Sequence, residues 1–471
     1  MNAGPQDAAA LILAAGLGKR MRSALPKVLH PVGGRPMVVR VLEAARAAGL
    51  ADAVVVTGRG AEAVEAAVDA RLPALAPLRC AFARQEEQRG TGDAALRGLP
   101  LCRAPAVLIL PGDAPLLHPA DLRRVLEAHA AARAGATLLT ARLGDPTGYG
   151  RIVRDADGQV AAIVEERDAG PAERAISEIF TLVACFRRDL LASALEACGT
   201  DNAQGEIYLT DVVAVARARG EHVAAVSAAD AAAVLGVNDR RALAAAEAAH
   251  RQAVLGALMD AGVTVVDPAT TYVEDLASIA ADVRLLPMTI VEGACRIGPG
   301  CEVGPGSHVR DSELGEGCRV WHSVVEGSVL GPGCAVGPFA HLRPGTRLGR
   351  DVAVGNFAEL KNAVLGDGTK QHHHSYVGDA ELGAGVNVGA GVVTVNFDGR
   401  RKERTVVGDR AFLGCNANLI APIEIGAGAY VAAGSTCDGP VPAGALGIAR
   451  ARLEVKEGWV ARRRAPAPPR S

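Results

Sequence analysis

Residues 330–360 read LGPGCAVGPFAHLRPGTRLGRDVAVGNFAEL, and every sixth residue from the first leucine onward is aliphatic. These positions are Leu330, Val336, Leu342, Leu348, Val354 and Leu360. An α-helix repeats about every 3.6 residues and a strand about every two, so neither explains a period of six. A coil of short strands does explain it, if the aliphatic side chain points inward and a small residue, most often glycine, turns each corner.

The same period returns on both sides of this stretch. It is carried by Ile297, Val303 and Val309 before it, and by Val407, Leu413, Leu419, Ile425 and Val431 after it, with Cys437 in the next place. One coil cannot bury its apolar face alone, so successive coils must stack. The pattern therefore predicts a parallel β-helix over about Ser278–Val441. Cys295, Cys301 and Cys334 fall at small-residue positions of the repeat and are predicted to be small buried side chains that fill space in the core.

Length, charge and cysteine content narrow the class of protein. The 471 residues suffice for two or three domains, and 49% hydrophobic with 22% charged residues is a globular composition. A net charge of -2 does not indicate a nucleic-acid-binding protein, and any anionic ligand must be bound by cationic side chains close to it. The ten cysteines include no Cys-x-x-Cys pair, and no apolar run approaches the ~20 residues of a membrane span. We expect a cytoplasmic protein that binds small molecules, without a signal peptide or membrane contact.

The N-terminal half alternates predicted strands and helices, which is typical of a doubly wound α/β domain. Strands are predicted at Ala8–Ala15, Ala53–Thr57, Ala106–Leu110, Ala136–Ala141 and Ala161–Glu166, and helices at Pro36–Gly49, Ala61–Arg71 and Pro119–Gly135. The Ala-rich segment Asp239–Ala261 is predicted to be a connecting helix. The chain end, Arg462–Ser471, is basic and proline-rich and is predicted to be disordered.

A glycine-rich loop with cations follows the first predicted strand. It reads Gly16-Leu17-Gly18-Lys19-Arg20-Met21-Arg22 and is followed by Pro26-Lys27. Glycines let backbone N–H groups approach an anion, although the loop is neither a dinucleotide fingerprint nor a Walker loop. A plain structural turn is the alternative. Asp113 lies at the carboxyl end of a predicted strand, where it is either a metal ligand or a solvated turn residue.

The hexapeptide period fails at Lys370–Tyr376, which contains three consecutive histidines, and at the charged segment Thr394–Thr405. Interruptions of a repeat are usually loops, and loops on a rigid scaffold often carry function. A histidine here could be a general base near neutral pH, part of a metal site, or part of a solvated bend.

Several motifs make the chain recognisable. The segments Leu13-Ala14-Ala15-Gly16, Arg20-Met21 and Leu25-Pro26-Lys27-Val28-Leu29-His30 resemble the opening of the sugar nucleotidyltransferases. With Gly355-Asn356-Phe357-x-Glu359-x-Lys361 and His373-x-Ser375-Tyr376, the chain resembles the bacterial bifunctional N-acetylglucosamine-1-phosphate uridyltransferase/glucosamine-1-phosphate N-acetyltransferases from about Ala8 to Trp459. The resemblance implies a nucleotidyltransferase domain over 1–238, a linker helix over 239–261, a left-handed parallel β-helix acetyltransferase domain over 262–455, and a tail over 456–471.

For the first half, the resemblance implies transfer of uridylyl from UTP to N-acetylglucosamine 1-phosphate, with Mg²⁺. The nucleotide is expected to contact Leu13, Ala14, Ala15 and Gly16, and its uracil to contact Gln85, Gly90 and Thr91. Arg20 and Lys27 are expected to bind the phosphates and act in catalysis, and Asp113 and Asn238 to bind Mg²⁺. The sugar is expected to contact Gly150, Glu165, Thr181 and position 180, which is Phe180 here. Asn238 is also expected beside the substrate.

For the second half, the resemblance implies acetyl transfer from acetyl-CoA to the amine of glucosamine 1-phosphate, in a homotrimer with sites between neighbouring coils. His373 is expected to be the general base, and the sugar phosphate is expected to contact Arg343, Lys361, Tyr376 and Asn387. Acetyl-CoA is expected to contact Ala390, Asn396, Phe397, Cys415, Ala433 and Arg450. The two reactions in series would give UDP-N-acetylglucosamine for cell-wall synthesis.

The chain departs from the family pattern at a few positions. Glu178-Ile179-Phe180-Thr181-Leu182 stands where Glu-Ile-Asn-Thr-Gly is usual, and Phe180 cannot offer the hydrogen bonds of an amide. Phe397 replaces a tyrosine, Cys415 replaces a serine, and Lys19 stands where threonine is common. His372 and His374 are additions beside the expected base.

Two other functions are weighed against the bifunctional enzyme. One is a single-activity nucleotidyltransferase with a structural β-helix, but such chains lack the His373, Tyr376 and Lys361 set. A narrower form of this alternative is an enzyme that retains acetyl transfer but, because of Phe180, has lost uridylyl transfer or accepts a wider range of sugars in it. The other is a catalytically silent sugar-nucleotide sensor or trimeric scaffold, which would not need matching charged residues in both halves.

Overall fold

The computed structural model describes residues 7–464. The chain divides into two compact units, Met1–His250 and Arg251–Ser471. One helix, Arg240–Asp260, runs across this division, so the domain limits 1–238, 239–261 and 262–455 remain predictions. In the part of the chain that is described, no helix is long and apolar enough to cross a membrane.

The first unit contains eleven strands and most of the helices. The strands are β1 Ala8–Leu13, β2 Pro31–Val32, β3 Arg35–Pro36, β4 Asp52–Thr57, β5 Arg79–Arg84, β6 Ala106–Pro111, β7 Ala136–Arg142, β8 Arg151–Arg154, β9 Val160–Val164, β10 Glu178–Arg187 and β11 Val223–Ser227. The α-helices are α1 Met37–Ala47, α2 Ala61–Asp69, α3 Leu72–Leu75, α4 Thr91–Gly98, α5 Pro119–Ala132, α6 Pro171–Arg174, α7 Arg188–Ala197, α8 Asp211–Ala218 and α9 Arg240–Asp260. Short 3-10 turns lie at Lys19–Met21, Lys27–Leu29, Leu99–Leu101 and Ala232–Val234.

The main sheet of this unit is covered on both faces. Its strands lie in the order β11-β7-β10-β6-β1-β4-β5, with β1 parallel to both β4 and β6. Successive side chains of β1 point to opposite faces, so Ile12 joins the core under α1, α2 and α5, whereas Leu11 joins the core under α4, α7 and α8. Burial on both faces explains the continuous apolar run of β1. The predicted doubly wound α/β fold is confirmed.

The chain order makes β1 a switch point in the sheet. From β1 the chain proceeds to β4 and β5 on one side and then returns to β6 on the other. In open α/β sheets, ligands bind at the carboxyl ends of the strands at such a point. Ala14–Gly16 and Asp113 follow the carboxyl ends of β1 and β6.

The second unit is a continuous run of short parallel strands. They are β12 Thr264–Val265, β13 Tyr272–Val273, β14 Ser278–Ile279, β15 Arg284–Leu285, β16 Ile290–Glu292, β17 Arg296–Ile297, β18 Glu302–Val303, β19 His308–Arg310, β20 Glu313–Leu314, β21 Arg319–Val320, β22 Val324–Glu326, β23 Val329–Leu330, β24 Ala335–Val336, β25 His341–Leu342, β26 Arg347–Leu348, β27 Ala353–Leu365, β28 Lys370–Leu382, β29 Asn387–Val388, β30 Val393–Val395, β31 Thr405–Val407, β32 Phe412–Leu413, β33 Asn418–Ile420, β34 Ile423–Ile425, β35 Tyr430–Val431, β36 Thr436–Cys437 and β37 Leu446–Gly447. A last helix, α10, covers Trp459–Arg464.

From β12 to β24, each strand pairs in parallel with the third strand after it, so one coil contains three strands. Tyr272 pairs with Ile290 and Ser278 with Arg296, which gives a coil of eighteen residues, or three hexapeptides. The aliphatic residues of the six-residue period are buried in one core, including Val336, Leu342 and Val354. The predicted parallel β-helix is confirmed, and its strands begin at Thr264, before the Ser278 expected from the six-residue period and within the 262–455 range that the resemblance implies.

The three cysteines of this unit that were predicted to fill space in the core, Cys295, Cys301 and Cys334, are buried. The thiols of Cys301, Cys318 and Cys334 donate to the carbonyls of Gly315, Gly331 and Gly349 on the next coil, at 3.0, 3.2 and 3.0 Å. Burial raises the pKa of the Cys295 thiol, which is consistent with an unreactive side chain.

Two predictions about irregular segments are wrong. Lys370–Tyr376 is not a loop, because it belongs to β28, which makes ten pairings with β27. β27 itself covers the three short strands β24, β25 and β26 of the preceding coil. Arg462–Arg464 are the last residues of α10, where the Arg463 guanidinium lies 5.1 Å from the Trp459 ring one helical turn earlier. The rest of the predicted disordered end, residues 465–471, lies outside the described residues. In contrast, residues 396–404 do form an insertion between β30 and β31, closed by a bridge between Phe397 and Lys402.

Candidate active sites

The first unit has a cavity of about 340 Å³ at the carboxyl ends of β1, β5 and β6. Of the residues predicted to bind the nucleotide, its walls include Leu13, Ala14, Ala15, Gly16, Gln85, Gly90, Thr91, Lys27 and Asp113. The structure therefore brings together residues from four separate stretches of the sequence. The cavity lies where the strand order changes direction, as the α/β topology predicts.

Gln85 is fixed at the end of β5. It is 3% exposed, and its side-chain amide donates to the Gly90 carbonyl at 3.0 Å and to the Asp93 carboxylate at 2.8 Å. Both N–H bonds of the amide have an acceptor, so the carbonyl oxygen is the atom that remains to contact a ligand. Thr91 begins α4, and its hydroxyl accepts from the Leu209 N–H at 3.1 Å.

A cation is held between two oxygen ligands on the same cavity wall. The Lys27 ammonium pairs with the Asp113 carboxylate and donates to the Asn238 side-chain oxygen at 3.1 Å. Lys27 and Asp113 are 13% and 17% exposed, so the pair is partly shielded from water. Asn238 lies 125 residues beyond Asp113 in the sequence, and the N–H of the preceding Val237 donates to the Asp113 carbonyl at 2.8 Å.

The predicted sugar-site residues lie beside the cavity rather than on its walls. Glu165 is held by the Thr210 hydroxyl at 3.1 Å, and burial raises its pKa. Burial also raises the pKa of Tyr149, with a contribution from the nearby Asp113 carboxylate, which places the Tyr149–Gly150 segment close to the cation pair. Thr181 donates to the Leu139 carbonyl at 2.8 Å. Arg20 is exposed on the turn Lys19–Met21 and does not line the cavity.

Phe180 is 5% exposed and packs in the core under α4, α7 and α8. Its N–H donates to the Gly150 carbonyl at 2.8 Å, so its backbone faces the predicted sugar site while its ring is in the core. Leu182, two residues later, lines the cavity, and so does Glu206. Reasoning from the sequence did not identify either residue. The signal for Leu182 was available, because a leucine stands where the family usually has glycine.

The second candidate site lies on the outer surface of β27 and β28. The parallel register aligns Asn356 with His373, Glu359 with Tyr376 and Lys361 with Gly378. His373 is exposed, while Tyr376 and Lys361 are half-buried. Gly378 is needed here, because a Cβ atom at this position would lie 2.3 Å from the Tyr376 hydroxyl oxygen. The tyrosine ring therefore lies flat across the next residues of its own strand.

Charged residues surround this strand pair. Arg343 donates to the Glu359 carboxylate at 2.9 Å. Lys361 is close to Lys402 of the insertion, and this second ammonium lowers the pKa of Lys361. Two cations held together in this way form a site for a multiply charged anion.

Asp379 was not identified from the sequence, yet it connects the insertion to the strand pair. Its carboxylate accepts from the Asn362 amide at 2.7 Å and from the Asn396 amide. Partial burial alone would raise its pKa, but these hydrogen bonds and the charges of Lys361 and Lys402 hold the pKa below its ordinary value. The carboxylate therefore fixes Asn396 and balances part of the positive charge.

The residues predicted to bind coenzyme A lie in a column. Lys370 pairs with Asn387, Asn387 with Phe412, and Phe412 with Tyr430. His373, Ala390, Cys415 and Ala433 lie three residues after Lys370, Asn387, Phe412 and Tyr430, respectively. They therefore occupy equivalent positions on successive coils. The Arg450 guanidinium continues the column by donating to the Ala433 carbonyl at 2.7 Å. Phe397, on the insertion, is 57% exposed.

The triple histidine does not form a metal site. Within residues 7–464, no group of three or more His, Cys, Asp or Glu side chains could hold a metal ion. The His372 and His373 rings are 6.1 Å apart and tilted by 48°. Neighbouring residues of a strand point in different directions, so the three imidazoles do not converge.

Residues 10–265 match the family model described as the MobA-like NTP transferase domain. The chain is 46% identical over 456 residues to the bifunctional protein GlmU of Heliobacterium modesticaldum, covering 96% of this chain and 98% of that protein. The chain belongs to the GlmU family. GlmU of Geobacillus thermodenitrificans is 46% identical, with coverage of 97% and 98%, and GlmU of an Exiguobacterium species is 47% identical, with coverage of 96% and 99%. The similarity to these GlmU proteins covers both units, and with them both candidate sites.

Proposed function

We propose that this GlmU-family chain is a bifunctional enzyme. Its second unit acetylates glucosamine 1-phosphate with acetyl-CoA, and its first unit couples the resulting N-acetylglucosamine 1-phosphate to UTP, giving UDP-N-acetylglucosamine and pyrophosphate. The observation that carries the proposal is the presence of two separate sites, the Lys27–Asp113–Asn238 cavity and the His373–Tyr376–Lys361 surface, on one chain that aligns with bifunctional relatives over almost its whole length.

In the first unit, the uracil fits the end of the cavity near Gln85. The free side-chain oxygen of Gln85 can accept from the uracil N3–H, and the segment Leu13–Gly16 lines the same cavity. The sugar phosphate oxygen attacks the α-phosphorus of UTP, and the bond from that phosphorus to the pyrophosphate oxygen breaks. The nucleophile is already ionised, so the reaction needs charge neutralisation and no general base. Lys27 provides a cation within the cavity, and Arg20 a second one on the adjacent loop.

The residues present fit an Mg²⁺ ion. Asp113 and Asn238 direct oxygen atoms at one cation, the Lys27 ammonium, and carboxylate and amide oxygens are ligands that Mg²⁺ accepts. Asp113 and Asn238 would hold the ion, with the remaining ligands from phosphate oxygens and water. When bound, Mg²⁺ neutralises charge on the phosphates of UTP. Lys27 would then turn from Asp113 towards the phosphates.

In the second unit, His373 accepts a proton from the 2-amine of glucosamine 1-phosphate, and the amine nitrogen attacks the thioester carbonyl carbon. The carbon–sulfur bond breaks, and the coenzyme A sulfur takes the proton from His373. Lys361 lies on β27, Tyr376 lies on β28, and Arg343 directly follows β25, which pairs with β27. These three residues would hold the sugar phosphate, with Lys402 as a further cation. Asn387 lies on the following coil.

The column Ala390, Cys415, Ala433 and Arg450 is where we place coenzyme A. Small residues at equivalent positions of successive coils leave a groove for the extended pantetheine chain, and Arg450 lies at its end as a cation for the phosphates. The acetyl group would lie near His373 with the insertion residues Asn396 and Phe397 beside it, since the Asn396 amide lies 3.5 Å from the Tyr376 hydroxyl. Cys415 is exposed and offers a weaker hydrogen-bond donor than serine.

A homotrimer is part of the proposal, and the surface beside His373 supports it. Phe339 and Phe357 are 55% and 63% exposed and stack at 5.6 Å, and His322 stacks on Phe339 at 5.7 Å. The column of exposed rings runs along one corner of the β-helix toward His374. A large exposed apolar patch next to an open site is typical of an interface that a second copy of the chain completes. We also propose a cytoplasmic location, because all ten cysteines are free and both co-substrates are cytoplasmic metabolites.

The proposal is tested by assaying the two reactions separately on the purified full chain. Glucosamine 1-phosphate with acetyl-CoA should give N-acetylglucosamine 1-phosphate without UTP. N-Acetylglucosamine 1-phosphate with UTP and Mg²⁺ should give UDP-N-acetylglucosamine without acetyl-CoA. Failure of either assay removes that half of the proposal, and failure of both favours the silent sensor.

A further inference from the structure

Strand β10 is distorted beside the nucleotide cavity. Phe180 pairs with Thr140 and Ala184 with Leu138, so four steps along β10 correspond to two steps along β7. The two extra residues bulge out of the ladder. Leu182 lies within the bulge and lines the cavity together with Asp113 and Thr91. The cavity therefore receives one side chain from β10, and it is an isobutyl group.

The backbone of Leu182 has a φ of 64°, in the left-handed region. A residue with a Cβ atom is strained there, and glycine is not. Glycine is the usual family residue at this position, so the bulge suits glycine and this chain places leucine in it. Strain that is retained beside a ligand cavity suggests a functional role.

Phe180 does not perform the same role. Its ring is 5% exposed and lies in the core, and it does not line the cavity. Of the two departures in the Glu178–Leu182 segment, only the one at Leu182 changes the surface that a ligand meets. Leu182 is partly buried against that core, which holds its side chain in place.

We propose that Leu182 is a specificity-determining residue of the uridylyl-transfer site, an inference that rests on the proposed function of that site. Its side chain lines the nucleotide cavity two residues along β10 from Phe180, whose N–H donates to the carbonyl of Gly150 at the proposed sugar site. It narrows the cavity there and gives it an apolar wall. The site therefore binds the acetamido group on carbon 2 of N-acetylglucosamine 1-phosphate less tightly than it would with glycine at position 182, and its selectivity against a sugar 1-phosphate with a hydroxyl there is reduced.

The test compares Leu182→Gly and Leu182→Ala with the unchanged chain, using UTP, Mg²⁺ and either N-acetylglucosamine 1-phosphate or glucose 1-phosphate. Leu182→Ala removes the bulk and keeps the Cβ strain, whereas Leu182→Gly removes both. Arg133→Gly is the matched control, because Arg133 also has a positive φ, of 46°, but lies at the end of α5 outside the cavity.

We expect both Leu182 variants to raise the ratio of kcat/KM for N-acetylglucosamine 1-phosphate over kcat/KM for glucose 1-phosphate by roughly tenfold or more, mainly through KM. The two glycine variants should both raise the melting temperature, and Arg133→Gly should leave the ratio unchanged. A ratio that stays within about twofold in both Leu182 variants would overturn the proposal.

Calorimetry keeps the proposal testable if none of the proteins transfers uridylyl, a result that would remove the proposed function. N-Acetylglucosamine 1-phosphate is titrated into each protein in the presence of UTP and Mg²⁺. Tighter binding to Leu182→Gly than to the unchanged chain supports the role of Leu182. Equal binding to both, or binding to neither, overturns it.

Discussion

The two candidate sites differ in how much of the site one chain supplies. The cavity of the first unit is a half-open cleft, its cation pair is partly buried, and its walls come from six stretches of the same chain. The surface of the second unit is open, with His373 and the coenzyme A column on the outside of a prism. Strands that end at a common edge can enclose a ligand, whereas the outer face of a β-helix offers a flat wall. We therefore propose that the second site, unlike the first, is completed by the surface of a neighbouring chain.

The largest expected effect separates the two sites through their reactive groups. His373→Ala should lower acetyl transfer by about 10²–10⁴-fold, because the amine then has no base in contact with it. Uridylyl transfer should be unchanged. His372→Ala is the matched control, since it removes the adjacent imidazole. Equal losses in both histidine variants would mean that His373 is not the base.

The converse change is Asp113→Asn, which removes the charged oxygen ligand proposed for Mg²⁺. Uridylyl transfer should fall by roughly a hundredfold, and more Mg²⁺ should be needed for half-maximal rate, because metal stabilisation of phosphate charge contributes several kcal/mol. Acetyl transfer should be normal. Asp145→Asn is the control, since Asp145 is an exposed turn residue. Unchanged Mg²⁺ dependence would remove Asp113 from the metal site.

A change at the aromatic column tests whether the open site depends on a second chain. Phe339→Glu should disrupt the trimer, because a carboxylate would be desolvated at the proposed interface. Acetyl transfer should fall together with the molecular mass measured by light scattering, while uridylyl transfer continues. Leu101→Glu is the control, as Leu101 is 45% exposed on the first unit. A trimeric and active Phe339→Glu variant would place the interface elsewhere.

The smallest effect concerns pH. The neighbouring Lys402 lowers the pKa of Lys361, so Lys361 loses its charge at a lower pH than an isolated lysine. A phosphate dianion needs that charge, so the KM for glucosamine 1-phosphate should rise as the pH increases through the lowered pKa. Lys402→Gln should move this rise to higher pH. If the alkaline rise does not move, Lys402 does not control the charge of Lys361.

The sequence predicts the two folds well, and the reason is physical. A six-residue period and a strand that is apolar throughout are each compatible with few architectures, and both were interpreted correctly. The histidine segment was misinterpreted because the loss of the hexapeptide period was taken as the loss of the strand. The backbone ladder between β27 and β28 continues through these residues with polar side chains outside. Periodicity reports side-chain burial, and it does not report backbone pairing.

The sites were only partly predictable. Lys27, Asp113 and the glycine loop could be found because each follows a recognisable strand. Asp379 and Lys402 could not, because their importance depends on a fold that brings the insertion back to β27 and β28. The sequence drew attention to Phe180, but only the bulge in β10 shows that Leu182 is the residue that lines the cavity.

The most direct test of two independent sites on one chain is complementation between the two disabled variants. Neither His373→Ala nor Asp113→Asn alone should convert glucosamine 1-phosphate, acetyl-CoA, UTP and Mg²⁺ efficiently to UDP-N-acetylglucosamine. Mixed in one tube, they should restore its formation, because each supplies the reaction that the other lacks and the intermediate diffuses between them. A mixture that remains inactive, although each variant retains its unaltered reaction, or a single variant that loses both reactions, would contradict the account.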